Sequence, residues 1–347
     1  MPYENDVQKI PRLNLIPSAA LCIKRINLRY YVNSTTQPAH GDVVYGEILR
    51  IGHHQKIESK TGRIHQIYTG DRGIFVVGNR YAPDYYEAKI PTKYTGTLDM
   101  VARSGVVSKM ISKNNKVKDP TTIKVLGFVC DKDGKKLNTT QLPLVVPQRE
   151  KKSPRRSKMI VFVGTSMNSG KSFAAAATVK ALTQLGHTVR ASKITGTASL
   201  KDIMNMGDAG AEKISDFTYV GHPSTYMLSK DEVMDIFNKL DLKYANKASN
   251  YWVVEIADGI IQRETAMLLS DPDFKARMHK IVFCAGDALG ALSGKRLLKD
   301  KFDINVDMIS GVFTAAPLHV RELKGFTRMP ILTSAHPDLE QVRRELT

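Results

Sequence analysis

The segment that most restricts the fold is the apolar run Met159-Ile-Val-Phe-Val163, then Gly164-Thr-Ser-Met-Asn-Ser-Gly170-Lys171-Ser172, then Phe173-Ala-Ala-Ala-Ala-Thr-Val-Lys-Ala-Leu182. An apolar run, a loop of small residues and an alanine-rich helix former in that order imply a buried strand feeding a helix through a tight turn. Such a loop can turn successive backbone N–H groups inward, and the helix N-terminus behind it favours negative charge. The lysine and the hydroxyl that close it, Lys171 and Ser172, have the chemistry to reach β- and γ-phosphates and to ligate Mg²⁺. All ten residues Gly164, Thr165, Ser166, Met167, Asn168, Ser169, Gly170, Lys171, Ser172 and Phe173 are therefore candidates to wrap a nucleotide. Against the standard GxxxxGK[ST] spacing, Thr165 takes the first-glycine position and Gly164 stands one residue early.

Downstream, apolar strands alternate with helical stretches: Thr188–Ala191 before a loop, Tyr251–Ile256 before Arg263–Leu269, Ile281–Ala285 before Leu289–Leu298, Met308–Phe313 before a helical stretch and Ile331–Thr333. That alternation predicts an α/β fold with a parallel, doubly wound sheet. The 347 residues exceed what one core absorbs, so two domains are expected. The Pro-interrupted basic stretch Pro147–Lys158 is the sharpest composition shift and reads as an exposed, flexible connector. The division is a basic β-rich domain 1–146, a basic linker 147–157 and an α/β domain 158–347.

From Lys158 to the C-terminus the chain resembles dethiobiotin synthetase and the related synthases of the cobyric acid pathway, a branch of the P-loop NTPases that includes the MinD/ParA class. Besides the loop, Thr188-Val-Arg-Ala-Ser-Lys193-Ile-Thr-Gly196 is similar to the family strand that ends in a substrate- and phosphate-contacting lysine. Tyr251-Trp-Val-Val-Glu255-Ile-Ala-Asp258-Gly259 is similar to its Val-Glu-Gly segment, whose acid binds magnesium. Cys284-Ala-Gly-Asp-Ala-Leu-Gly290 and Pro330-Ile-Leu-Thr333 resemble a later strand–turn–helix and the last strand. The resemblance implies ATP and Mg²⁺ as cofactors, Ser172 and Glu255 around the metal, Lys171 and Lys193 in catalysis, and a homodimer. Two departures separate this chain from the family: Glu255-Ile-Ala-Asp258-Gly259 replaces a Glu-Gly-Ala-Gly-Gly run, and Val312–Pro317 lacks the base-reading Asn. Thr165 and Ser166 stand where the MinD/ParA branch carries its second lysine, which argues against a partitioning or membrane-oscillating ATPase.

Asp216 or Asp258 is expected to face the γ-phosphate or a second substrate, with turn formation as the competing role of each. Asp208, in the Gly- and Asp-rich stretch Asn205–Gly210, reads as a turn former, and His222 before proline as a loop residue. Arg263 reads as the start of a solvent-facing helix turn, while Asp287 is open between a nucleotide contact and a turn.

The N-terminal domain differs in rhythm. Short alternating runs, Asp42–Ile51, Arg63–Tyr68, Gly73–Gly78 and Thr122–Val129, are split by Ala39–Asp42, Thr69–Gly73 and Asp131–Gly134, which predicts a small β-barrel or sandwich. Of the chain's 51 Lys+Arg and 34 Asp+Glu, net +17, residues 1–158 hold 28 and 13, a net of +15, leaving +2 for the rest. Basic residues there alternate with rings, as in Lys24, Arg25, Arg29, Tyr30 and Tyr31, a composition suited to single-stranded nucleic acid; an acidic protein partner fits the charge as well. The three cysteines lie too far apart for a CxxC pair, no HExxH occurs, and the N-terminus lacks an apolar signal core, so a cytoplasmic protein without a membrane anchor is expected.

Two functions emerge: an ATPase whose hydrolysis is coupled to a nucleic acid or acidic protein held by the basic domain, or a synthetase or kinase that phosphorylates a small carboxylate or hydroxyl. A nucleotide-bound scaffold without turnover is the third.

Overall fold

The computed structural model describes residues 7–11, 15–33, 35–146 and 151–347. The protein is a mixed α/β chain with a mainly-β N-terminal sheet and a parallel C-terminal sheet. It forms two units: Met1–Val146 with Thr197–Leu200 and Phe217–Met227, and Pro147–Gly196 with Lys201–Asp216 and Leu228–Thr347. Two short pieces of the 158–347 stretch thus count with the N-terminal unit. The loops after strands Thr188–Thr195 and Lys213–Asp216 supply them, and they are tied in by Ala198 N–H to Pro223 O and Leu144 N–H to Tyr219 O.

In the N-terminal unit, strands Thr121–Cys130, Val43–Arg50, Arg72–Val77, Val106–Lys113 and Thr97–Met100 pair in that order, and the last returns to the first, closing a five-strand ring. Only the pairing of Arg72–Val77 with Val106–Lys113 is parallel. The alternation along Val43–Arg50 explains the closure: Val44 and Ile48 enter one buried cluster with Phe75, Val107 and Phe128, while Val43 and Tyr45 enter another with Ile74 and Val106. Val7–Lys9 pairs with Tyr30–Val32, which pairs with Thr121–Cys130 outside the ring.

The C-terminal unit carries a six-stranded sheet in the order Lys213–Asp216, Thr188–Thr195, Asn250–Ile256, Lys158–Gly164, Met278–Cys284, Met308–Ser310, parallel throughout. Lys158–Gly164 and Asn250–Ile256 are buried on both faces, as their continuous apolar runs require. Helix Lys171–Gln184 buries Ala174, Ala175, Ala177 and Ala181, small side chains that let it lie close to the sheet. Helix Lys230–Tyr244 begins in a capping box in which Ser229 Oγ accepts from Glu232 N–H and the Glu232 carboxylate accepts from Ser229 N–H. Trp252 is fully buried against Phe237 and donates Nε1–H to Ser192 Oγ at 2.8 Å.

Three expectations change. Asn205–Asp208 lie in the helix Leu200–Asp208 and only Ala209–Gly210 turn: the helix's apolar face contributes buried Ile203 and Met206, a stronger influence than one glycine and two turn-forming residues. Ile331–Thr333 forms no strand, only an isolated bridge from Ile331 to Ile309, because the partner strand stops at Ser310, before Gly311 at φ +123°. Residues 147–150 of the expected linker lie outside the described residues, but 151–157 are anchored rather than flexible. Ser153 N–H donates to Asn246 Oδ1, Arg156 pairs with Asp241 at 2.7 Å, and Arg277 bonds both Asp241 at 3.1 Å and Ser157 O at 2.8 Å. Among the described residues no helix is long and apolar enough to cross a membrane.

Candidate nucleotide site

The site is built at the carboxyl ends of the parallel strands, where open α/β sheets gather ligands. Gly164 ends its strand under tight constraint: a Cβ there would lie 2.3 Å from Ser169 Oγ and 2.7 Å from Cys284 O. This explains the early glycine, because the crowded position is 164, while Thr165 needs only its N–H, which donates to Cys284 O at 2.9 Å. Gly170 sits at φ +96° as the helix N-cap, with Val312 N–H donating to Ser169 O beside it. Ser166 and Asn168 are exposed, Met167 is half-buried, Ser169 is buried, and Phe173 is 64% exposed.

Lys171, 5% exposed, folds its ammonium over the loop and donates to Ser166 O at 2.8 Å and Ser169 Oγ at 3.4 Å. Burial lowers its pKa, and the carboxylates of Glu255 and Asp258 oppose that shift. Next in the helix, Ser172 Oγ donates to Glu255 Oε1 at 2.8 Å. Glu255 is 1% exposed, and the sheet register puts it level with Phe162 on one side and Lys193 on the other. Lys193 Nζ lies 3.7 Å from Glu255 Oε1 and makes a closer ion pair with Asp202.

The charges divide by proximity. Burial works against ionisation of all three groups, but Asp202 and Glu255 outweigh it at Lys193 and hold that ammonium above its ordinary value. Asp202, nearest the cation, is held below the usual carboxylate range despite its burial, while burial wins at Glu255 and pushes its carboxyl up. The Ser172 hydroxyl, which donates to Glu255, also helps to hold the Asp202 carboxyl down.

Asp202 is the site residue that sequence reasoning missed. Its signal was available in Ser199-Leu-Lys-Asp202 before apolar Ile203 and Met206, a helix-start pattern that places the acid in the first turn. Asp258 stands beside the loop, since a Cβ on its neighbour Gly259 would meet Thr165 O at 2.3 Å, and its charge acts on both Lys171 and Lys193. Asp216 is fully buried at the end of the edge strand, level with Lys193 of the next strand and with two strands between it and the Gly164 strand. His222 belongs to the N-terminal unit, with Nδ1 3.3 Å from His40 Nε2. Asp208 ends a helix, Asp287 caps one by accepting from Gly290 N–H, and Arg263 opens one, bonding Leu228 O and Glu264.

Glu255 Oε2 is buried without a hydrogen-bond partner among the described residues. A buried carboxylate oxygen in that state is costly unless something binds it. With Ser172 Oγ and Asp202 beside it, the donors are all hard oxygens, which suits Mg²⁺. Among the described residues no group of three or more His, Cys, Asp or Glu forms a metal cage.

No protein-family model matches the chain, and no curated protein does. Among solved structures, the signal recognition particle receptor FtsY from Elizabethkingia anophelis in complex with GDP is similar at 8% identity and a TM-score of 0.35, over 60% of this chain and 71% of that one. A second structure of the same receptor gives 11% identity and a TM-score of 0.33 over the same shares.

Proposed function

We propose that the protein is a Mg-ATP-dependent P-loop hydrolase whose turnover is coupled to a partner held by its basic N-terminal unit, working in the cytoplasm as a homodimer. The observation that carries this reading is the chain of contacts Ser172–Glu255–Lys193–Asp202 beneath the glycine-crowded loop. In it, Gly164 to Phe173 wrap the phosphates, Lys171 neutralises the β- and γ-oxygens, and Ser172 and Glu255 hold the metal. When bound, Mg²⁺ supplies charge neutralisation at the transferring phosphoryl group. Lys193 stabilises charge that develops on the γ-phosphate, and Asp202 keeps that lysine ionised and in place. Asp258 is the acid best placed to orient an attacking water, and Asp216 serves the edge of the site.

The position of Lys193 at a strand end beyond the loop also favours a second reading, an ATP-dependent synthetase or kinase of the dethiobiotin synthetase kind acting on a small carboxylate or hydroxyl. The test is hydrolysis of ATP and GTP by the full chain with and without Mg²⁺, alongside Lys171→Ala. Mg-dependent ATP hydrolysis lost in the variant supports the hydrolase. ATP consumption only in the presence of added small carboxylic acids supports the synthetase, and equal turnover by Lys171→Ala rejects both.

A further inference from the structure

We infer that Thr195 and Thr265 are positioning residues for Asp258, holding that carboxylate where an attacking water is to be oriented. The inference rests on the hydrolase reading above, in which Asp258 plays that part, and names what sets its place. Ala257, the residue before Asp258, lies just past the sheet: the ladder between Thr188–Thr195 and Asn250–Ile256 ends at the pair Thr195–Ile256. Beyond that pair two side chains bond the Ala257 carbonyl. Thr195 Oγ1 donates to it from the strand, and Thr265 Oγ1 donates to it from helix Arg263–Ser270 at 2.9 Å. Both threonines are fully buried, and Ala257 is buried between them. A carbonyl oxygen accepts along two directions, so two donors fix its orientation where one would leave it free to swing.

Local structure delivers each hydroxyl. Between Lys193 and Thr195 the register against Asn250–Ile256 slips by one residue, so Thr195 stands opposite Ile256 rather than Ala257. A slip of this kind re-aims a side chain, and here it sets the Thr195 hydroxyl back far enough to reach the carbonyl ahead of it. Thr265 is fixed by its helix start, where the N-cap Gln262 accepts from Thr265 N–H at 3.1 Å. Downstream of Asp258, Ile260 N–H donates to Gly164 O at 2.9 Å, and Gly259 packs so closely on Thr165 that a Cβ would stand 2.3 Å from its carbonyl oxygen. Residues 257–260 are therefore tied to the Lys193 strand at one end and to the start of the phosphate loop at the other. Asp258 carries the one polar side chain among these four residues, and its charge acts on both Lys171 and Lys193. An acid that orients water needs such fixing, since a misplacement of about 1 Å costs roughly a hundredfold in rate.

The test measures steady-state ATP hydrolysis by the full chain carrying Thr195→Val, Thr265→Val or both, with Asp258 intact and in the presence of Asp258→Asn. Valine keeps the shape of threonine and removes the O–H. Thermal melting verifies folding, and Thr195→Ala and Thr265→Ala take the place of any valine variant that does not fold. Each valine variant should lower kcat by about tenfold and the pair by roughly a hundredfold, with KM for ATP and the Mg²⁺ concentration for half-maximal rate within about twofold of the unsubstituted chain. Thr195→Ser and Thr265→Ser, which keep the donor, should recover most of the loss. Combined with Asp258→Asn, the threonine substitutions should cost nothing further, because the carboxylate they position is gone. Residues that only support the fold would lower kcat by the same factor in both backgrounds; that result overturns the assignment, as does an unchanged kcat or a loss confined to KM. An unsubstituted chain that hydrolyses no ATP removes the hydrolase and this assignment together, whereas hydrolysis indifferent to the threonines removes this assignment alone.

Discussion

Replacing Gly170 with alanine loads the phosphate loop at its most confined backbone position. At φ +96° an L-residue carries a strain of about 1–2 kcal/mol, whatever the surrounding space. Space is also lacking, because the new Cβ would lie 2.7 Å from Val312 N and 2.9 Å from Gly311 Cα. Both are backbone atoms, and moving Val312 away breaks its N–H bond to Ser169 O, so the clash adds an overpacking cost of about 1–3 kcal/mol. Gly186→Ala is the matched control: φ there is +85°, yet nothing lies within 4 Å of the added methyl, so only the strain remains. The difference between the two variants, about 1–3 kcal/mol, corresponds to roughly 2–12 °C in melting temperature for a unit of 150–250 residues. Calorimetric melting of the full chain measures it, and binding of a fluorescent ATP analogue shows whether the loop still receives phosphates. Only Gly170→Ala should lose binding. Equal melting temperatures for the two variants would refute the claim that the loop is locked against Val312.

Glu255→Gln keeps the acceptor for Ser172 but removes the charge, so the Mg²⁺ concentration for half-maximal hydrolysis should rise ~10–100-fold; an unchanged titration moves the ligand elsewhere. Asp241→Ala strips the shared partner from Arg156 and Arg277, leaving two largely buried guanidinium groups unpaired at a cost of about 3–5 kcal/mol. Faster tryptic cleavage within 151–157 together with a lower melting temperature is the expected readout. At Asp271, burial works against the charge, but Lys230 at 2.8 Å and the N–H groups of Phe274 and Asp273 hold the carboxyl below its ordinary value. A carboxylate lowered on folding contributes stability above its unfolded pKa of about 3.9, and loses it as pH falls through the folded value. Asp271→Asn should therefore cost about 0.5–1 kcal/mol at pH 7 and progressively less toward pH 3, read by urea denaturation. A difference that does not shrink toward pH 3 excludes the charge as its source.

The phosphate loop was legible because its needs are local: small residues, a lysine and a hydroxyl between an apolar strand and an alanine-rich helix. Its departure from standard spacing acquired a cause only in three dimensions, where Ser169 and Cys284 crowd Gly164 rather than Thr165. Glu255 was visible as the acid ending an apolar run, but Asp202 was hidden inside a stretch whose glycine and aspartates resemble a loop. What makes it a helix is burial of Ile203 and Met206, a property of the folded chain and not of the local sequence. Asp216 lies on the edge strand, in register with Lys193 and with two strands between it and the Gly164 strand, a placement that position along the chain does not reveal. The basic connector read as flexible because composition is blind to partners such as Asp241 and Asn246, which lie far along the chain.

The inclusion of Thr197–Leu200 and Phe217–Met227 in the N-terminal unit bears on how the protein is born. Domains usually mature in order as the ribosome releases them. Here the first unit cannot be completed when Val146 emerges, because its last pieces, which supply Leu144 with the Tyr219 carbonyl and Glu58 with the Leu200 amide, are made after the phosphate loop. A nascent chain halted before Met227 therefore carries a closed ring of strands in a unit that still lacks its last pieces, and a fragment cut at 146 inherits the same gap.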